Sequence, residues 1–221
     1  MKLAVLLAAV VMLTACGAKK EKVISLGTTN ATTTVDSDGC HAIKTPNPEK
    51  RRAPKPTTLL DASKTYDVTL ETNCGSITIR LDVKDSPKTT ASFVSLVRRH
   101  YFIGTIFHRI IPGFVIQGGD PTGTGFWGPG YTTVEAPPAS TKYTEGVVAM
   151  AKTQKEAPGT ADSQFFIVIG PDAATLTPVY ALLGHVTDGL DVAKRIGNFG
   201  DPRTGSVLRL IEIEKATVDV H

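Results

Sequence analysis

Between residues 66 and 218 the chain is cut into short apolar runs by recurring glycine and proline, and that segmentation limits the fold more than any other feature. YDVTLETNCGSITIRL, residues 66–81, alternates apolar and polar positions on both sides of Asn73, Cys74 and Gly75, the pattern of a β-hairpin. TIFHRI and FVIQGG follow, divided by Pro112 and Gly113; VVAMAK, QFFIVI and ALLGHV come next, and VLRLIEIEKATV closes the series. Only two stretches read as helix. SPKTTASFVSLVRRH, residues 86–100, puts Ser86 at an N-cap and Pro87 at the first helical position, with Ala91, Phe93, Val94, Leu96 and Val97 in one stripe. GLDVAKRI, residues 189–196, is the shorter one. Many short strands with tight turns predict a mainly β domain, a closed antiparallel barrel whose closure removes exposed strand edges.

The N-terminal quarter has another character. Residues 1–15 hold one cation, Lys2, then an apolar run over 3–13 and small residues, the layout of a signal peptide and shorter than the ~20 residues that span a bilayer. Leu13, Thr14, Ala15 and Cys16 resemble the bacterial lipobox, which implies lipidation of Cys16 and an extracytoplasmic lipoprotein anchored to the bacterial cell membrane. Residues 17–60 are rich in Thr, Pro and Lys, lack aromatic residues and show no sustained period. They cannot bury enough apolar surface to offset their ordering entropy, so 16–63 reads as a lipidated N-terminus with a flexible linker and 64–221 as the folded domain.

Charge divides along the same line. Residues 17–60 carry eight Lys or Arg against four Asp or Glu, while 61–221 carry 15 against 17. The basic balance lies in the linker, and no nucleic-acid partner is expected of the domain. With Cys16 lipidated, Cys40 and Cys74 remain, either as free thiols or as a disulfide of the kind that persists outside the cytoplasm. No CxxC or HxxxH spacing suggests a metal.

Chemistry is sought next among the polar residues of the apolar runs. GTGFWG, residues 123–128, satisfies GxGxxG, but Pro129 forbids the helix that a dinucleotide site requires. No GxSxG occurs, and His108 has no serine or cysteine motif beside it. Alternation sets Ile106, His108 and Ile110 on one strand face and Phe107, Arg109 and Ile111 on the other. His108 then reads as a core residue with a backbone partner, Asp120 as a turn residue. Arg109, a cation among apolar side chains, is the candidate for chemistry. Val115 and Gln117 share a face in the next strand, as do Gln164, Phe166 and Val168 later; if these faces meet, they form an apolar pocket edged by one guanidinium and two amides, suited to gripping a peptide.

YFIGTIFHRIIPGFVIQGGDPTGTG, GVVAMA and SQFFIVI, in that order, resemble the cyclophilin-type peptidyl-prolyl cis–trans isomerases over roughly residues 64–215. The resemblance implies a cyclophilin-like fold, a closed eight-stranded antiparallel barrel capped by two α-helices. It also implies isomerisation of X–Pro bonds in exported or unfolded polypeptides, without covalent intermediate, cofactor or metal. Arg109 would be the catalytic donor. Phe114, Val115, Phe166 and Leu176 would line the proline pocket, with Tyr180 at its rim. Gln117 would orient Arg109, and Ala151, Lys152 and Gln164 would hold the peptide. The implied partners are proline-containing peptides and unfolded proteins, bound by a monomer. Thr175 and Tyr180 replace a tryptophan and a histidine found in many relatives, so weak cyclosporin binding is expected. A reading from another class is a proline-peptide binding module or holdase chaperone with incidental turnover; an intact Arg109, Gln117 and Phe166 argue for the enzyme.

Overall fold

The structure is a computed structural model and describes residues 35–221. The signal peptide and the lipidation of Cys16 lie outside the described residues. The domain opens with the hairpin: β1, Tyr66–Thr72, and β2, Gly75–Leu81, pair with Val68 opposite Ile79 and Leu70 opposite Ile77, all four fully buried. Asn73 and Cys74 make the turn. Helix α1, Pro87–Arg98, buries the apolar stripe read from its sequence. Ser86 stands at its N-cap but gives no side-chain bond. Instead the Glu135 carboxylate accepts the N–H groups of Lys88 and Thr89 at 3.2 and 3.0 Å, placing negative charge where the helix dipole favours it.

Short strands follow: β3, Thr105–Ile106; β4, Arg109–Ile111; β5, Val115–Gly118; β6, Thr133–Val134; β7, Val147–Met150; β8, Thr160–Ala161; and β9, Phe165–Val168. A 3₁₀ turn over Pro171–Thr175 leads to β10, Leu182–Asp188, helix α2, Leu190–Gly197, and the last strand β11, Glu212–Val220. Nine of the eleven strands form one antiparallel sheet in the order β3-β11-β1-β2-β10-β7-β9-β5-β4, and β6 pairs with β8 apart from it.

This corrects the expectation of a closed, eight-stranded barrel. The sheet has nine strands and curls without a closing ladder. Its two end strands, β3 and β4, are neighbours in sequence, separated only by Phe107 and His108, so the edges meet through covalent chain rather than paired backbone. The interruption also shifts the side-chain alternation. Phe107 points into the core with Ile110, both fully buried, and not to the side of Arg109 as unbroken alternation requires.

The linker expected over 16–63 is corrected over its described part. Residues 35–63 contain no helix or strand, yet they lie on the domain. Cys40 and Cys74 form a disulfide, His41 Nε2 pairs with Glu214 at 2.6 Å, and the Arg51 guanidinium donates to the carbonyls of Tyr101 and Ile103 at 2.7 and 2.6 Å. Few apolar side chains are needed, because the ties are a disulfide, a side-chain pair and bonds to main-chain carbonyls. Among the described residues, no helix is long and apolar enough to cross a membrane.

Candidate active site

Sheet register assembles the floor of the site, and the loops beside the strands supply the rest of its wall. Across β4, β5, β9 and β7, Arg109 lies opposite Gln117, Gln117 opposite Phe166, and Phe166 opposite Ala149. The adjacent row, Ile110, Ile116, Ile167 and Val148, points to the other face and is fully buried. One row is therefore core and the next is the floor of a surface cleft, since side chains of successive strand residues alternate between faces. A second apolar cluster, of Val115, Tyr143, Ala149, Phe166, Val168 and Ala173, supports that floor.

The cleft encloses about 340 Å³ and is lined by Arg109, Phe114, Val115, Gln117, Ala151, Lys152, Phe166, Leu176 and Tyr180. Of the residues singled out in the sequence as catalytic or peptide-binding, only Gln164 is not in its wall. It stands behind Gln117 in a relay: Arg109 Nη1 donates to Gln117 Oε1 at 3.3 Å, and Gln117 Nε2 donates to Gln164 Oε1 at 3.3 Å. Gln164 Nε2 in turn donates to the carbonyls of Gly125 at 3.1 Å and Trp127 at 3.4 Å. Arg109 also lies 5.9 Å from the Phe114 ring centroid. Burial pulls its pKa below the usual value, and Tyr180 acts in the opposite direction. The cation has no carboxylate partner among the described residues, which leaves its N–H groups available to a guest in the cleft.

Opposite Arg109, Phe166 and Tyr180 meet edge to face at 5.4 Å, and Tyr143 packs on both. Tyr143 is a residue that sequence reasoning missed. Its hydroxyl donates to the Tyr180 carbonyl at 2.7 Å and accepts the Tyr180 N–H at 2.9 Å, fixing the backbone of the rim. Burial pushes the phenol up to about 12, further from the neutral range in which any tyrosine hydroxyl is already a donor. Lys152 places Nζ 5.9 Å from the Tyr180 ring centroid while donating to the carbonyls of Thr153 and Glu156.

Two neighbours differ from expectation. His108 reads as a core residue with a backbone partner; the Ile106 backbone and the Gln164 side chain do lie beside its ring, but neither makes a hydrogen bond of normal geometry to its two buried nitrogens. Burial, opposed by Asp120, lowers its pKa and favours the neutral ring. Asp120 is more than a turn residue. It is fully buried, and its carboxylate accepts the N–H groups of Thr122, Thr124, Gly125, Phe126 and Trp127, organising the glycine-rich loop around one charge. Burial pushes Asp120 upward, but these bonds outweigh it and its pKa stays below the usual carboxylate value. Gly119, just before it, has φ of +93°, and a Cβ there would collide with the Ser163 carbonyl, so only glycine fits.

A cleft on a sheet face, with apolar and aromatic side chains in its wall and a guanidinium held by an amide relay, has the shape and chemistry to grip a peptide. Comparison with known proteins carries this further. Residues 67–218 match the family described as cyclophilin type peptidyl-prolyl cis-trans isomerase/CLD, and the chain belongs to that family. A peptidyl-prolyl cis-trans isomerase-like 1 of Gibberella zeae is 40% identical over 152 residues, covering 67% of this chain and 90% of the relative. The peptidyl-prolyl cis-trans isomerase ppi1 of Schizosaccharomyces pombe is 41% identical over 150 residues, covering 66% and 92%. Among solved structures, a cyclophilin-type isomerase of Cryptosporidium parvum, crystallised in the presence of the dipeptide Ala-Pro, superposes with a TM-score of 0.63 at 33% identity, covering 69% of this chain and 98% of that one.

Proposed function

We propose that the chain accelerates cis–trans rotation about X–Pro bonds, with proline seated between Phe114, Val115, Phe166 and Leu176 and the rotating bond beside Arg109. Family membership supports the activity, and the observation that carries the mechanism is the relay holding Arg109 over the cleft. Rotation about an X–Pro bond breaks amide resonance, with a barrier of about 18–20 kcal/mol. At the twisted stage the prolyl nitrogen becomes pyramidal and recovers a lone pair. An N–H of Arg109 aimed at that nitrogen bonds the twisted form more strongly than either planar form, and differential binding of this kind is what lowers a barrier. Partial burial strengthens the interaction, and the relay holds the donor before the reaction starts. Gln117 contributes an amide to the peptide backbone, and the outer wall at Ala151 and Lys152 keeps the chain extended.

Refolding of a protein limited by a proline isomerisation tests this reading. Substoichiometric amounts of the chain are expected to speed the slow phase in proportion to their concentration. A holdase would instead need about one molecule per client and would leave the rate unchanged.

We infer further that the chain works outside the cytoplasm, carried to the bacterial membrane surface by the lipobox-like stretch ending at Cys16. The Cys40–Cys74 disulfide supports this, because such bonds persist in oxidising compartments. Incorporation of a palmitate analogue that vanishes in Cys16→Ala is the expected result; equal labelling of the variant, or none of the parent, overturns it.

A further inference from the structure

The relay behind Arg109 does not end inside the domain. Gln164 is oriented by two carbonyls of the glycine-rich loop, those of Gly125 and Trp127. That loop contains Gly123, Gly125, Gly128 and Gly130, and has little rigidity of its own. Asp120 fixes its backbone as far as the Trp127 N–H, but bonds nothing beyond it. The Trp127 side chain and both ends of the loop are held from the segment that precedes β1. Trp127 Nε1 donates to the Arg51 carbonyl at 3.0 Å, with Lys50 Nζ and the Arg52 guanidinium 4.9 and 5.3 Å from its ring centroid. The same few residues tie down both ends of the loop: Glu49 N–H bonds to the Pro121 carbonyl at 3.1 Å and Ala53 N–H to the Pro129 carbonyl at 3.0 Å. Arg51, whose side chain donates to Tyr101 and Ile103, anchors this brace to the domain.

We propose that residues 49–53, acting through Trp127, are a positioning element for Arg109. The proposal rests on the isomerase reading for its rate effect but not for its structural signature. The brace holds the loop carbonyls where they select one orientation of the Gln164 amide. Gln164 then presents its oxygen to Gln117, and Gln117 presents its oxygen to Arg109. Release of the brace frees the Gln164 amide to rotate and loosens the donor without touching the apolar wall that binds proline. A loss in turnover with little change in peptide affinity is the consequence.

The test uses the full chain, with Arg51→Ala, Trp127→Phe and, as a control, Lys55→Ala. Trp127→Phe keeps a ring between the cations and removes only the Nε1–H donor. Lys55 bonds the Thr132 carbonyl and has no link to the relay. Exchange of an Ala-Pro peptide gives kcat and KM, and NMR of the side-chain amide of Gln164 and Nε of Arg109 reports the relay directly. Displaced groups remote from the reacting atoms cost rate steeply, so kcat is expected to fall roughly tenfold in Arg51→Ala and about threefold in Trp127→Phe. KM should stay within about twofold, with the Gln164 and Arg109 resonances shifted in both variants and unmoved in Lys55→Ala. Parent-like kcat with unmoved resonances overturns the proposal, as does a kcat that falls only in step with the folded fraction. A parent that fails to accelerate exchange defeats the isomerase reading instead, and the resonances then decide the positioning role alone.

Discussion

Asp162 shows how one half-buried group tunes stability. Burial pushes its carboxyl up to about 6, with Glu156 and Asp120 nearby adding to the effect and N–H groups from Gln164 and Ser163 opposing it. An acid whose pKa is raised on folding binds its proton more tightly in the native state. Stability is then greatest at low pH and declines as pH climbs from the usual carboxylate value to about 6. Asp162→Asn cannot ionise, so it is expected to exceed the parent by on the order of 2 kcal/mol at pH 7 and to match it near pH 4, as read by urea unfolding. Tyr143→Phe tests the missed residue. Without the hydroxyl the Tyr180 backbone loses a donor and an acceptor, and KM should rise about threefold while kcat holds. Tyr143 was not legible in the sequence, because it stands alone in a polar stretch between Lys142 and Thr144 with no period to mark it. Arg109 and Gln117 were legible for the opposite reason: polar residues in runs otherwise apolar need a partner or a task.

At the scale of elements, the hairpin and the strand row under the site could be read from alternation, and the first helix from its N-cap, its proline and its apolar stripe. The interruption at Phe107 and His108 could not. Its parity depends on which residues find a ladder partner, and Phe107 finds the Ile211 carbonyl instead. The glycine-rich loop was visible as a loop, but its organising charge was not, because the donors to Asp120 are backbone N–H groups that any sequence offers. Asp120→Asn replaces one carboxylate oxygen by a donor facing several others. Unfolding in urea is expected to show a loss of about 3 kcal/mol, since orphaned buried donors carry their full desolvation cost. An unchanged midpoint would mean the loop holds its shape without the charge.

The whole molecule is tied at its described N-terminal side by the disulfide and by ion pairs of Arg209 with Asp36 and Asp38. Composition gave no hint of that docking, because bonds from Arg51, Glu49 and Ala53 to carbonyls need no hydrophobic stripe. Replacing Cys40 and Cys74 by serine opens a loop spanning 34 positions and is expected to lower stability by about 3 kcal/mol, seen as a drop in Tm that reductant reproduces in the parent. The fold and the cleft exist, on this view, to hold one guanidinium beside one twisting bond. NMR exchange on an Ala-Pro peptide, comparing the full chain with Arg109→Ala, tests that most directly. Fast exchange in the parent that falls by roughly a hundredfold in a folded variant still binding the peptide is the result expected of a lost transition-state donor. Exchange that is equally fast in both would contradict it and move catalysis away from Arg109.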